Sequence, residues 1–187
     1  MRDITVPITL VTGFLESGKT TAIMQIMEQG FGDFKGGTLL IDVEEKGEVT
    51  YDQELLRRRN VIYVEADDPG LLRADYFQSL ADAYAPEQVF IEYNGTFKVN
   101  YLERLTLPKG WGIVRQMTIL DGSVFHIYRK HQKEQFRDMA VGADLVLFNR
   151  CAPDLDQLKI FAMDVREVNK TAQVVFEDRE GKIITCI

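Results

Sequence analysis

The sequence predicts an α/β fold, a mostly parallel sheet covered by helices on both faces in a three-layer α/β/α arrangement. Three observations carry this. Short apolar, β-branched runs alternate with stretches whose apolar residues recur at helical spacing. A glycine-rich turn, Gly13-Phe14-Leu15-Glu16-Ser17-Gly18-Lys19-Thr20, joins the first such run to the first helical pattern. No repeat or low-complexity linker interrupts the 187 residues, which read as one domain over 1–187.

In order along the chain, Ile8–Thr12 is the first strand, apolar and β-branched as a buried strand should be. After the turn, Ala22, Ile23, Ile26 and Met27 share one helical face, and Gly30 ends that helix. Further strands are expected at Thr38–Val43, Val61–Glu65, Gln88–Glu92, Gly112–Leu120 and Leu145–Phe148. A helix over Pro69–Tyr84 has Asp68 as N-cap, Pro69 in its first turn and an apolar stripe of Leu72, Tyr76, Leu80 and Ala83. A second over Pro153–Asn169 repeats the device with Leu155, Leu158, Phe161 and Val165. At the end, Ala172–Glu177 and Lys182–Ile187 flank Asp178-Arg179-Glu180-Gly181, which predicts a hairpin and an antiparallel C-terminal edge.

Composition excludes several classes. An apolar fraction of 45% and a charged fraction of 27% are those of a globular protein, and the net charge of −7 argues against a nucleic-acid surface. Arg57-Arg58-Arg59 reads as a solvated helix end. The two cysteines, Cys151 and Cys186, are too few for a disulfide framework or a zinc cluster. His126 and His131 are five apart, where a helical metal pair needs four. Trp111 and Tyr101 carry only packing. No apolar run reaches the roughly 18 residues of a membrane span. The N-terminus enters the first strand almost at once, leaving no room for a secretory leader. A cytoplasmic location with no membrane partner is the expectation.

The glycine-rich turn matches G-x-x-x-x-G-K-[ST], the P-loop of nucleoside triphosphatases; chance alone gives such a match in a chain of this length roughly once in a hundred. The glycines let the backbone curl around a polyphosphate, and the next helix aims its positive end at the anion. Gly13, Glu16, Ser17, Gly18, Lys19, Thr20 and Thr21 are therefore the candidate nucleotide contacts. Lys19 reaches the β- and γ-phosphates, and the Thr20 hydroxyl offers itself to Mg²⁺. In a parallel sheet the remaining chemistry gathers at the C-terminal strand ends. Val89-Phe90-Ile91-Glu92 ends in a carboxylate placed to hold a Mg²⁺-bound water, and the Gly95 N–H three residues on is placed to sense the γ-phosphate. The acidic segment from Asp42 to Asp52 follows the second strand; Asp42, Glu45 and Asp52 are its candidates for metal or water. Asn149 and Arg150 end the strand where a guanine-reading Asn-Lys-x-Asp motif would sit. The Asp of that motif, which excludes adenine, is replaced by Ala152, and Asp154 lies beyond Pro153 as a helix first-turn acid.

These segments in order resemble the CobW-type GTPases, relatives of the HypB and UreG metallochaperone GTPases. The loop with Thr21 is similar to their GFLGxGKTT, Glu44–Asp52 to their N-E-F-G-E-V-G-I-D, Ile91–Gly95 to their I-E-T-S-G, and Ala143–Arg150 to their A-D-…-N-K stretch. The resemblance runs from Ile8 to about Ala172. It implies a P-loop GTPase domain using GTP, with ATP the alternative, and Mg²⁺-dependent hydrolysis served by Lys19, Glu92, Glu45 and Asp52. It also implies a part in handling Zn²⁺ or another transition metal, and a protein client; a homodimer is left open. There are departures. The family's G-C-x-C-C metal motif is replaced by Ala66-Asp67-Asp68-Pro69-Gly70, without thiolates. Glu16 stands where the loop usually has glycine and adds negative charge beside the phosphates, which weakens affinity unless the side chain turns outward. The resemblance reaches the nucleotide-binding part only and not a further C-terminal domain common in the family. The competing readings are a module that binds nucleotide without hydrolysis and serves protein interaction, and an ATP-dependent small-molecule kinase, which lacks an arginine-rich lid.

Overall fold

The computed structural model describes residues 3–30, 37–43, 49–66, 69–95 and 106–184. Its strands are β1 (Val6–Gly13), β2 (Thr38–Val43), β3 (Val61–Glu65), β4 (Gln88–Asn94), β5 (Trp111–Asp121), β6 (Leu145–Asn149) and β7 (Gln173–Phe176). They form one 7-stranded sheet in the order β3-β2-β4-β1-β5-β6-β7. Every ladder is parallel, so the chain must cross a face of the sheet between strands. The crossings described are helices α1 (Lys19–Gln29), α2 (Gln53–Arg58), α3 (Ala74–Tyr84), α4 (Phe125–His131), α5 (Lys133–Val141) and α6 (Leu155–Val168).

Because successive strand residues point to opposite faces, the buried strands feed separate cores. Leu40, Phe90 and Ile119 pack with Ala22, Ile23 and Met27 of α1 and Leu55 and Leu56 of α2. Leu39, Ile41, Val89 and Ile91 face the other way, toward Phe77 and Leu80 of α3, Phe136 and Met139 of α5, and Leu158 and Phe161 of α6. This second layer is rich in aromatic contacts. Phe125 meets Phe136, Phe148 and Phe161 edge to face, with ring centroids 4.9–5.1 Å apart, a geometry that adds to simple burial.

Some expectations need correction. The C-terminal edge is not antiparallel: β7 pairs parallel with β6, reached through α6. The Asp178–Gly181 turn does form, with Gly181 N–H donating to the Asp178 carbonyl at 3.2 Å. Among the described residues the returning arm makes only the isolated antiparallel bridge Glu177–Ile183. Pro69 opens a 3-10 turn, Pro69–Leu71, rather than the helix itself. Arg73 is extended, and α3 starts at Ala74; Asp68 lies outside the described residues. Pro153 likewise precedes α6, whose N-cap is Asp154, its carboxylate accepting from the Asp156 and Gln157 amides. Arg57 and Arg58 do close α2, and both histidines are exposed.

Candidate functional site

Parallel pairing brings the ends of β1, β2 and β4 together beneath the glycine-rich loop. Gly18 has φ 95° and is followed at once by α1. That helix has no side-chain N-cap bond and no acid in its first turn, and its positive N-terminal end lies at the loop, where a helix favours an anion. Glu16 sits at φ 59°, the left-handed region that favours glycine, at a cost of about 1 kcal/mol or more. Its side chain is exposed. Lys19 is only 2% exposed, and its Nζ donates to the Phe14 carbonyl at 2.8 Å, holding the loop curled over the lysine.

Glu92 is not at the strand end. β4 continues to Asn94, and Glu92 is buried within it at 1% exposure. It lies opposite Val11 of β1 and Asp42 of β2. The Thr20 hydroxyl donates to its Oε1 at 2.9 Å, and the Tyr51 hydroxyl donates to its Oε2. Asp42 is in turn opposite Glu65 of β3, so Glu65, Asp42 and Glu92 form a row on one face. The Tyr63 hydroxyl lies between the first two of these, 2.9 Å from Asp42 and 3.1 Å from Glu65. Burial, then the charge of Glu92, pushes the Tyr51 phenol far above its ordinary pKa. Burial, then the hydrogen bond to Asp42, does the same for Tyr63. Both therefore stay protonated donors to carboxylates.

Across the loop, β6 supplies a clamp. Asn149 Nδ2 donates to the Ser17 carbonyl at 2.8 Å. Arg150, at φ 52°, donates from Nη1 to the Glu16 carbonyl at 3.1 Å and to Asp121 Oδ2 at 2.6 Å. Asp121 ends β5 and is fixed by the Ser123 amide and hydroxyl. The buried Ser17 Oγ and Asn149 Oδ1 have no hydrogen-bond partner among the described residues. Phe14 stacks on Tyr128 at 4.1 Å. Between acidic row and clamp lies a cavity of about 620 Å³, lined by Glu16, Lys19, Thr20, Thr21, Asp42 and Arg150 among others. Polar groups converging on such a space are those of a ligand site.

Gly95 and Asp52 are engaged away from this cavity. The Gly95 N–H donates to the Gly13 carbonyl at 2.8 Å, so it ties β4 to β1. Asp52 caps α2, accepting from the Glu54 and Leu55 amides at 2.8 and 3.3 Å. Glu45 lies outside the described residues. Ala152 is exposed just before the Asp154 cap. Sequence reasoning missed Tyr51, Tyr63 and Asp121. Asp121 obeyed the strand-end rule and was lost by placing its strand one residue short, whereas nothing local marked the tyrosines.

A family model described as CobW/HypB/UreG, nucleotide-binding domain, matches residues 7–176. The zinc chaperone YeiR of Escherichia coli (strain K12) is 30% identical over 161 residues, 79% of this chain and 48% of the relative. The chain thus spans about half the length of that curated relative. Among solved structures, the hydrogenase maturation factor HypB of Archaeoglobus fulgidus superposes with a TM-score of 0.64 at 20% identity, covering 96% of this chain and 84% of that one. HypB of Helicobacter pylori, solved in complex with nickel, gives 0.54 at 17% identity, covering 94% and 80%. Both likenesses are of fold.

Proposed function

Because the chain belongs to the CobW/HypB/UreG family of nucleotide-binding domains, we propose that it is a Mg²⁺-dependent GTPase acting as a conformational switch in metal homeostasis. The supporting observation is the Thr20–Glu92 hydrogen bond beside the buried Lys19. It couples a phosphate-binding loop to a carboxylate from the neighbouring strand. Hydroxyl and carboxylate oxygens are the hard donors Mg²⁺ takes, and that ion is held by one or two carboxylates, waters and the substrate's own phosphates rather than by a protein cage. This agrees with the finding that no three His, Cys, Asp or Glu side chains among the described residues are grouped to hold a metal ion. In this reading Thr20 and Glu92 hold the cation, with Asp42 beside them, and the cation neutralises phosphoryl charge. The loop amides and Lys19 cradle the β- and γ-phosphates. Asn149 and Arg150 hold the loop's shape from below. Guanine preference rests on family membership, and ATP is the alternative nucleotide.

Transfer of a transition metal would need ligands from a client protein or from residues outside those described, since the cysteine motif is replaced by 66–70. A second reading is a module that binds nucleotide without turnover. It is favoured by the engagement of Gly95 and Asp52 in backbone bonds. Thermal shift with GTP, ATP and their diphosphates, with and without Mg²⁺, followed by phosphate release, separates the readings. Mg²⁺-dependent stabilisation with release supports the GTPase, stabilisation without release supports the module, and no stabilisation by any nucleotide refutes both.

Glu16 supplies a further expectation. Replacing its charge beside the phosphates, Glu16→Gln, should tighten nucleotide binding severalfold at low salt, the worth of about 1 kcal/mol for charges separated by solvent. The gain should shrink at 0.5 M salt, where the Debye length falls to about 4 Å. Titration calorimetry at both ionic strengths measures it; an equal gain at both would mean that charge is not the cause.

A further inference from the structure

We propose that Tyr51 is the positioning residue for Glu92, and that its hydroxyl ties the start of α2 to the cation side of the nucleotide site. The proposal deepens the reading of Glu92 just given and rests on it. The terminal torsion of a glutamate is soft, so a lone anchor on one oxygen leaves the other free to swing. Here the oxygens have separate donors on separate elements. Thr20, at the start of α1, takes Oε1; Tyr51, just before α2, takes Oε2. The carboxylate plane is thereby fixed with Oε1 toward the phosphate loop.

Tyr51 is itself held firmly. It is 5% exposed, packs in one core with Leu55, Leu56 and Phe90, and meets the Tyr63 ring at 5.3 Å and 53°. The next residue, Asp52, caps α2. At the far end of α2, the Arg59 guanidinium donates to the Glu28 carbonyl in the last turn of α1. The connections close a ring, from Thr20 through Glu92, Tyr51, Asp52, α2 and Arg59 back to α1. The phenolic hydroxyl thus gives a change at Glu92 a hydrogen-bonded route to α2. Phenylalanine would fill the same space and pack the same core without donating.

The test compares GTP affinity in Mg²⁺ with that in EDTA by titration calorimetry. For Tyr51→Phe the Mg²⁺-dependent gain should fall about tenfold, part of the worth of a hydrogen bond to a charged group. Affinity in EDTA should change by less than about twofold, which a general packing defect would not spare. On a Glu92→Gln background the tyrosine change should add nothing. Tyr51→Leu serves as a second variant lacking the hydroxyl. A Mg²⁺ gain kept by Tyr51→Phe but lost in Glu92→Gln overturns the positioning role alone. A gain kept in Glu92→Gln refutes the metal-side reading of Glu92, and the proposal with it. In the unaltered protein, exchange of the Glu54 and Leu55 amides should slow when Mg²⁺ joins the bound nucleotide; exchange that ignores Mg²⁺ overturns the coupling even if the variants do not fold.

Discussion

Lys19→Ala is expected to abolish nearly all nucleotide-dependent stabilisation. The ammonium is the buried cation at the mouth of the loop. Its bonds to phosphate oxygens would be charge-assisted, so losing them should weaken binding about 100-fold. With ligand at about a hundred times the native Kd, the native protein gains about 2.7 kcal/mol and the variant about 0.4. For a chain of this size those gains correspond to rises in Tm of about 5–11 °C and about 1 °C. The ligand-free protein should change less. Truncation leaves the Phe14 carbonyl without the 2.8 Å bond from Lys19, but it also removes a charge whose burial is costly. Differential scanning with and without Mg·GTP reads both effects in one experiment. A full ligand shift in Lys19→Ala would remove the phosphate-cradling role from this loop.

The central strands were legible because burial on both faces leaves an unbroken apolar run, and β2 and the start of β4 fall where the runs predict; β3, a half-buried edge strand, falls where its β-branched run predicts. The helix starts were less so. Pro69 and Pro153 each suit a first helical turn, yet each lies just upstream of the helix. Leu72 is fully buried, and Arg73 turns extended after it, so tertiary burial overrode the local proline signal. The antiparallel edge failed for a related reason. The turn chemistry at 178–181 was read correctly, but Val174, Val175 and Phe176 all pack into the cores. That demand sets β7 beside β6 by crossover.

In the site, what is local in sequence was legible and what is tertiary was not. The loop motif carries its own geometry, and Glu92 is singled out by the rule that parallel sheets gather chemistry at their C-terminal ends, although β4 runs on past it to Asn94. The Gly95 N–H looked available because its partner, the Gly13 carbonyl, is remote in the chain. Tyr51 carries no motif at all; only the folded register puts it against Glu92. Asp52 is a candidate acid by its place in the acidic segment, but its position before Gln53-Glu54-Leu55 is also that of an N-cap, the use the fold makes of it.

Gly13→Ala is expected to be the most damaging single methyl in the loop. Gly13 closes β1 between β4 and β5, opposite Asn94 and Ile119. A Cβ there would lie 2.3 Å from the Ile119 carbonyl oxygen and 2.5 Å from Ser17 Oγ. The first is backbone in a strand paired on both sides, so it has no room to retreat. The second belongs to a side chain 1% exposed. Relief requires parting β1 from β5 at the point where the loop begins, which also strains the Gly95–Gly13 bond. Overpacking of this kind costs about 1–3 kcal/mol, and contact with fixed backbone puts it at the upper end. A loss of about 3 kcal/mol lowers Tm by about 6–12 °C. At Gly181 the same methyl would meet nothing within 4 Å, leaving only the strain of a φ of 78°, so Gly181→Ala separates steric clash from backbone strain. Should Gly13→Ala melt no lower than Gly181→Ala, β1 and β5 do not meet as closely at the loop as this structure has them.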